Sequence, residues 1–487
     1  MSLASSLGSR FRAELGGRIV AVVSSGLLMV LLARMLEPEE YGLLFLSISV
    51  FSAVGVLSKL GIAKSGARYA AEYKERDPGQ LPHIFRAVLS YNLVTVAVVV
   101  VAMVAGHRFI ATLLDEPDLA PFLLLGGAYL AFEALSAFVR LTLQGLEEIR
   151  VSATLYALDR GLRLAFAVGL VAVGFGGVGA LAGYILSFAL VTTIGLGWIY
   201  RRYYRSTDAA DEIEDGLRRR IGEYAVPLTA TNTANVLDKE IDTVLIGFFL
   251  SPVAVSYYVV SKQVIDFVET PAAALGFTLS PTFGARKSDG DVAEAARLYE
   301  TALVHSLLLY VPIAAGVALV AEPALELLFG SEYLGAVPVL QVLSLYAALR
   351  SVTKLTSNGL DFLGRARERA IVKGATALAN VGLNVLLIPA IGVVGAAVAT
   401  VITYSLYTLA NVFIIHREFD LRVGFLLRRV AAIVGVTVAM AIPVYLTVDF
   451  AESVLSLALV IALGVAVWSL LSVAVGLIDT ETISAVS

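Results

Sequence analysis

Charged and amide side chains stand inside stretches of this sequence that are otherwise apolar. Their spacings of three, four and seven residues place the members of each group on one face of a helix. The groups are Asn235, Asp238 and Asp242 in the stretch 224–250, Lys262, Asp266 and Glu269 in 253–280, and Arg350, Lys354, Asn358 and Asp361 in 336–361. Carboxylates and cations in apolar surroundings are candidates for binding cations and anions, respectively.

Two interpretations of these charges stay open. A charge at the centre of a bilayer costs at least about 2.5–3.5 kcal/mol, so it is paired or faces water. For the side chains near mid-depth we favour a hydrated cavity; they are Asn235, Asp238, Asp242, Asp266, Glu269 and Arg350. The four acids among them are candidate sites for a coupled proton or sodium ion. Nearer the ends we favour ion pairs and snorkelling, as for Asp159 with Arg163.

Several cations are candidate ligands for an anionic group such as a phosphate or pyrophosphate. Arg140 and Lys354 lie 214 residues apart, which is the offset of an internal repeat described below, so they occupy equivalent positions. Arg350, Lys262 and Arg163 complete the candidate set. Arginine suits bidentate phosphate contact and lysine acts as a point charge. The alternative is that Arg140 and Lys354 snorkel to lipid phosphates.

The elements that carry these groups are predicted to be membrane-spanning helices. Of the 487 residues, 58% are hydrophobic and 16% charged, whereas soluble domains carry about 25% charge. Fourteen apolar segments have the roughly 20 residues that a span requires. They are 16–36, 41–63, 84–106, 119–142, 154–174, 177–200, 224–250, 253–280, 298–320, 336–361, 369–390, 393–415, 426–447 and 454–477. We therefore predict an all-α polytopic membrane protein.

Composition also excludes several kinds of site. The chain has no cysteine, and its four histidines lack metal-ligand spacing, so neither a metal nor another cofactor is expected. There is no phosphate-cradling Gly-Lys-Ser/Thr loop, so we expect no ATP hydrolysis by this chain. Nucleic acid is not an expected partner, and the protein is expected to be a transporter rather than an enzyme.

The loops predict an orientation in the cell membrane. Of the 36 Lys and Arg residues, 25 lie on one side, among them Arg369 and Lys373, and two on the other, Arg34 and Arg108. The positive-inside rule then places both termini in the cytoplasm. The basic residues before Ile19 resemble those of a signal peptide, but the apolar run is too long, and we interpret it as an uncleaved first span.

The two halves resemble each other at an offset of about 215 residues. Four short matches occur in the same order: 30–32 with 244–246, 36–38 with 250–252, 145–147 with 359–361, and 178–180 with 394–396. We predict a six-helix lobe at 1–222, a parallel six-helix lobe at 223–418 and two additional helices at 419–487. Transporters built from parallel repeats bind substrate between lobes and alternate access by rocking them. Gly179 and Gly183 are interpreted as close helix-packing positions.

An ordered set of short segments resembles the Wzx-type oligosaccharide flippases of the multidrug/oligosaccharidyl-lipid/polysaccharide exporter superfamily. The resemblance covers nearly the whole chain. The segments are Arg34–Gly42, Leu143–Glu147, Ile241–Gly247, Leu328–Tyr333, Leu383–Pro389 and Gly392–Ala397.

The resemblance implies that a polyprenyl-linked or dolichyl-linked sugar turns over from the cytoplasmic to the outer leaflet, for surface polysaccharide or glycoprotein biosynthesis. Implied partners are the lipid-linked sugar, membrane lipids, and glycosyltransferases or an oligosaccharyltransferase of the same pathway. Acidic outer loops would suit a halophilic archaeon, and with it dolichyl-phosphate sugars and S-layer glycosylation; their residues are Glu37, Glu39, Glu40, Asp115, Glu116 and Asp118.

Two other functions stay open. An ion-coupled multidrug or cation exporter would share the architecture, although the cations inside the spans favour an anionic substrate. A membrane glycan polymerase or transferase would need catalytic residues on sizeable outer loops, and the longest of these, near 107–118 and 321–335, are short.

Overall fold

The computed structural model describes residues 20–269 and 292–478, and these residues form helices joined by short turns. The first half contains α1 (Val20–Met35), α2 (Pro38–Lys59), α3 (Ile62–Arg76), α4 (Leu81–Leu113), α5 (Ala120–Gly145), α6 (Ile149–Leu170), α7 (Gly176–Ile199), α8 (Leu217–Phe249) and α9 (252–269). The second contains α10 (Val292–Leu319), α11 (Ala321–Phe329), α12 (Val337–Phe362), α13 (Ala366–Ile391), α14 (Val393–Phe419), α15 (Val423–Thr447) and α16 (Val454–Ala474). The predicted all-α class is confirmed.

Length and composition make ten helical segments of the described chain able to cross a membrane. One of them, Ile149–Tyr204, has 56 residues and holds both α6 and α7, since Gly174 and Gly176 adopt positive φ and break it. Helices α1, α8 and α9 lie where the sequence predicts the first, seventh and eighth spans. The count of fourteen stays a prediction, and Arg10, Arg12 and the continuation of the eighth span to 280 lie outside the described residues.

Two further helices, α3 and α11, were not predicted. They are shorter than the others, with 15 and nine residues, and α3 carries several charged side chains. A search for long apolar segments passes over both for that reason.

The chain divides into two compact units, Met1–Ser256 and Tyr257–Ser487. This division follows from contacts within the structure, whereas the predicted lobes, with boundaries at 222 and 418, follow from sequence similarity between the halves. The predicted lobes stay a prediction.

In the first unit, α6 and α7 pack as a tight antiparallel pair. A Cβ added to Gly183 would lie 2.4 Å from the backbone nitrogen of Ala167, closer than real contacts allow. A Cβ on Gly179 would meet the Phe175 side chain at 2.4 Å. Only glycine permits the observed approach, so the predicted packing role of these two residues is confirmed.

The segment between α7 and α8 is fastened to α3 and α4. Tyr73 Oη donates to Glu214 at 2.6 Å, and Arg220 donates to the same carboxylate at 2.6 Å. His83 hydrogen-bonds the carbonyl oxygen of Ala210 at 2.7 Å. The hydrogen bond from Tyr73 lowers the pKa of Glu214.

In the second unit, α12 packs against α10 and α14, and α14 also packs along α13. The turn between α13 and α14 is a single residue, Gly392, with φ of 68°. Near the start of α15, the buried carboxylate of Glu300 accepts from the Arg422 backbone and guanidinium at 2.7 and 2.8 Å. Helix α12 carries the site described next.

Candidate functional site

Four ionic side chains meet where α9 faces α12. Arg350 hydrogen-bonds Asp266 and lies 2.5 Å from a carboxylate oxygen of Glu269. Lys354 Nζ lies 3.9 Å from the other oxygen of Glu269. We call Asp266, Glu269, Arg350 and Lys354 the ionic cluster.

Helical spacing explains how each helix contributes two groups. Asp266 and Glu269 are three residues apart, and Arg350 and Lys354 are four apart, so each pair shares a face. The side chain of Glu269 is 5% exposed and that of Arg350 19%, whereas Asp266 and Lys354 are 40% and 42% exposed. The cluster therefore has a buried pair at its core and an accessible acid and cation beside it.

This arrangement gives Arg350 two alternative anionic partners. The guanidinium plane can serve two carboxylates at once, or one carboxylate and a phosphate, through separate N–H donors. An incoming phosphate would compete with the more exposed carboxylate, Asp266, at lower cost than with buried Glu269. The four named charges sum to zero, so a bound anion would leave a surplus negative charge that a proton or sodium ion could offset.

Aromatic rings extend the cluster along α12 and α14. The Arg350 guanidinium lies 5.2 Å from the ring centre of Tyr346, which meets the ring of Tyr404 edge-on at 4.6 Å. Lys373 on α13 lies over Tyr404 and over Tyr407, at 5.1 and 5.0 Å. Arg369 and Lys373 stand at the start of the predicted segment 369–390 and were counted only as cations of the cytoplasmic side; α13 begins at Ala366 and carries both in its first two turns. Their four-residue spacing is the signal that could have identified them.

Lys262, a predicted head-group ligand, lies on α9 with its ammonium 5.6 Å from the ring centre of Tyr258. It is partly buried and precedes Asp266 by one helical turn.

Arg163 is placed in a buried pair in the first unit. Its guanidinium donates to Asp159 at 2.7 Å, and the Ser187 hydroxyl donates to the other Asp159 oxygen at 2.9 Å. The rings of Tyr184 and Phe188 flank the guanidinium at 4.8 and 4.5 Å. The side chain of Arg163 is 9% exposed, and this pair is the internal ion pair expected from the sequence for Asp159.

Arg140, the predicted equivalent of Lys354, lies near the ring of Tyr156 at 5.8 Å. Arg160 approaches the same ring at 5.2 Å. Elsewhere in the first unit Lys59 pairs with Glu133 at 2.6 Å, a contact that links α2 to α5 and that the sequence did not predict.

The acids predicted on α8 differ in burial. Asp242 is 3% exposed, and Asp238 is partly buried one turn earlier. The side chain of Asn235 lies outside the described residues. A third acid of this helix, Glu240, accepts from Ser49 of α2 at 2.8 Å, a contact that the sequence did not predict.

Within the described ranges, no group of three or more His, Asp or Glu side chains could hold a metal ion.

A family model described as polysaccharide biosynthesis protein matches residues 31–338. The chain belongs to this family. The resemblance to Wzx-type flippases drawn from the sequence is confirmed by this match and by the relatives below.

Two curated relatives are flippases or polysaccharide biosynthesis proteins by name. The lipopolysaccharide biosynthesis protein WzxC of Escherichia coli is 27% identical over 80% of this chain and 75% of its own length. A protein of Haloferax volcanii, named as a probable low-salt glycan biosynthesis flippase, Agl15, is 27% identical over 35% of this chain. The chain spans less than half the length of the first two archaeal relatives that it matches, 47% and 36%.

Solved structures share the fold. The lipid II flippase MurJ, in an inward closed conformation, matches with a TM-score of 0.74 at 16% identity over 95% of this chain and 97% of its own. An inward-facing multidrug resistance transporter of the MATE family, in the MOP superfamily, matches with a TM-score of 0.63 at 16% identity over 85% of this chain and 95% of its own. The expected superfamily fold is confirmed.

Proposed function

We propose that this protein is a flippase that moves a polyprenyl or dolichyl (pyro)phosphate-linked sugar from the cytoplasmic to the outer leaflet, by alternating access, for surface polysaccharide or glycoprotein biosynthesis. The observation that carries the proposal is the ionic cluster, built on apolar helices of a chain that belongs to a polysaccharide biosynthesis family. A lipid-linked sugar has a polar head that hydrocarbon excludes, so its passage needs polar partners at membrane depth.

The candidate residues divide into two proposed roles. The cations bind the anionic head group, and these are Arg140, Lys354, Arg350, Lys262 and Arg163. The acids and the amide carry a coupling ion or line the hydrated path, and these are Asp238, Asp242, Asp266, Glu269 and Asn235. Geometry supports the first role best for Arg350 and Lys354, because they adjoin an accessible carboxylate that a phosphate could replace.

The orientation and pathway are part of the proposal. The loop charges support cytoplasmic termini in the cell membrane. The likeness to Agl15, a probable low-salt glycan biosynthesis flippase, supports a role in glycan biosynthesis. The proposal extends this role to dolichyl-linked sugars and an S-layer glycosylation pathway, with its glycosyltransferases and oligosaccharyltransferase as partners.

The test is deletion of the gene followed by mass spectrometry of lipid-linked sugars, resolved by leaflet. We expect a full-length lipid-linked glycan to accumulate on the inner leaflet. Unpolymerised product on the outer leaflet would indicate a polymerase, and drug sensitivity with normal glycans would indicate an exporter; either result would overturn the proposal.

Complementation tests the head-group ligands. Joint replacement Arg140→Glu and Lys354→Glu should abolish rescue of the deletion at normal protein levels. Arg367→Glu, which reverses an exposed cation of α13, is the matched control and should rescue fully. Full rescue by the double variant would remove both residues from the head-group site.

A further inference from the structure

An apolar stripe runs along one exposed face of α7 in the first unit. Its large side chains recur every four residues and are each between 41% and 48% exposed; they are Leu186, Leu190, Ile194 and Trp198. The helix belongs to a segment that is long and apolar enough to cross a membrane. Because a bilayer surrounds such a helix with acyl chains, the stripe is a surface for hydrocarbon.

The stripe has about the length of one leaflet. From Leu186 to Trp198 the helix rises about 18 Å. The hydrocarbon core of a bilayer is about 30 Å thick, so one leaflet takes up about 15 Å of it. Tryptophan is enriched where hydrocarbon meets the lipid head groups. Trp198 therefore marks the depth at which the head group of a lipid lying along the stripe begins.

Two cations follow directly after this depth. Arg201 comes three residues after Trp198, on the same side of the helix, and Arg205 lies one turn further. Both side chains are exposed, and within the described residues neither guanidinium makes an ion pair or a hydrogen bond. Guanidinium groups bind phosphate through paired N–H donors, so these two are placed to receive the phosphate of a lipid.

The turn that follows α7 is held in place by its tyrosines. Tyr203 Oη donates to Glu148, just before α6, at 2.6 Å, and Tyr204 Oη accepts from Arg86 of α4 at 2.5 Å. The Tyr200 ring stacks on that of Tyr204, with ring centres 5.5 Å apart. The turn has π-helical geometry, which is rare and frequently occurs at functional sites. A fixed backbone lowers the entropy that is lost when a ligand orders the two cations.

We propose that the α7 stripe, together with Arg201 and Arg205, binds one anionic phospholipid of the surrounding bilayer, such as phosphatidylglycerol. An acyl chain lies along the stripe, and the phosphate lies between the two guanidinium groups. The site selects an anionic lipid over a zwitterionic one, because the same two cations repel the choline of phosphatidylcholine. The inference goes beyond the proposed function and does not depend on it.

The experiment uses the full-length protein in detergent, and native mass spectrometry measures the Kd of phosphatidylglycerol and of phosphatidylcholine with the same acyl chains. Wild type should bind phosphatidylglycerol about tenfold more tightly, the effect of one charge-assisted contact. Arg201→Gln/Arg205→Gln should remove this preference and leave the Kd of phosphatidylcholine unchanged. Its melting temperature without lipid should equal that of wild type, since the replacement breaks no ion pair of the described chain.

Arg218→Gln/Arg219→Gln is the matched control. It removes the same charge from two exposed positions at the start of α8, which belong to another helix than the stripe. Its Kd for phosphatidylglycerol should stay at the wild-type value. An equal loss in this control would show a general attraction of arginines for an acidic lipid, and it would overturn the proposal.

Two further results would reject the site. One is an unchanged Kd for phosphatidylglycerol in Arg201→Gln/Arg205→Gln. The other is a lipid-free dimer of the wild type that Leu190→Trp disrupts, because the stripe would then be a contact between two copies.

A single replacement covers the case in which the double variant does not fold. Arg205→Gln alone should raise the Kd of phosphatidylglycerol several fold, and an unchanged value there would also reject the site. Because lipid binding is measured without transport, the result is independent of the deletion experiment that tests the proposed function.

Discussion

Arg350 is the residue on which the candidate site depends most. It contacts Asp266 and Glu269 together and lies against the Tyr346 ring. A buried Glu269 carboxylate without a nearby cation would carry the full free-energy cost of desolvation. Arg350 offsets that cost. The more exposed Asp266 is under no such constraint. The two acids therefore differ in how freely they can give up their cation.

Replacement of Arg350 tests this difference. Arg350→Met should lower the free energy of unfolding by about 3 kcal/mol, since it removes the cation 2.5 Å from buried Glu269 and leaves Lys354 at 3.9 Å. The double variant Arg350→Met/Glu269→Gln should recover much of that loss, and Asp266→Asn should cost less than Glu269→Gln. Thermal unfolding of the purified protein in detergent measures all four. Equal effects of the two single acid replacements would contradict the argument.

Residue identities alone could predict contacts within a helix but few between helices. The pair Asp159–Arg163 follows from its four-residue spacing. The contacts of Arg350 with Glu269 and of Lys59 with Glu133 join separate helices. Such contacts depend on how each helix is rotated about its own axis, and that rotation is set by packing of the whole unit. Lys373 was interpreted only as a signal of orientation, because a cation near a helix start resembles a loop cation in sequence.

At the scale of elements, the contact of α6 with α7 makes a clear prediction about glycine. Gly183→Ala should lower stability by about 1–3 kcal/mol, because the new Cβ would overlap the backbone of Ala167. Gly197→Ala is the matched control on the same helix, since nothing lies within 4 Å of its Cβ position. The melting temperatures of the two variants in detergent provide the measurement. A larger loss for Gly197→Ala would refute the packing argument.

The stability that the 205–216 segment gains from its contacts with α3 should depend on pH, because Glu214 makes those contacts. Its pKa is lowered in the folded protein by the Tyr73 hydrogen bond, so it stabilises the fold above the ordinary carboxyl pKa of about 4.3 and loses that contribution as pH falls through the lowered value.

Tyr73→Phe removes the donor and keeps the ring. The variant should lose less melting temperature than wild type between pH 7 and pH 3. Glu223→Gln removes an acid of an exposed pair and serves as the control, with a pH dependence like that of wild type. Identical pH dependence in Tyr73→Phe and wild type would remove Glu214 from this role.

At the scale of the molecule, hydropathy determined most of what could be predicted. The all-α class and the positions of the long helices follow from apolar length, which a bilayer enforces. Helix α8 is harder to recognise by composition, because its charges offset its apolar residues. Which side chains of α9 and α12 meet could not be predicted, since apolar segments of equal length fit a bundle in many rotations.

The orientation can be tested by labelling single introduced cysteines, because the chain itself contains no cysteine that would react. Asp118→Cys and Arg219→Cys place single thiols on exposed positions at opposite predicted sides. In intact cells a membrane-impermeant maleimide should label the first and spare the second, and permeabilised cells should show both. The reverse pattern would invert the proposed topology.

The backbone contact at Gly183 has a mechanical consequence. Because the backbones of α6 and α7 pack closely at Gly183, few side chains lie between them that could adjust to sliding, so we expect no shear between the two helices. Any rearrangement of the first unit should move this helical hairpin as one rigid body. Hydrogen exchange would then find the amides on both sides of the seam opening in a single cooperative event.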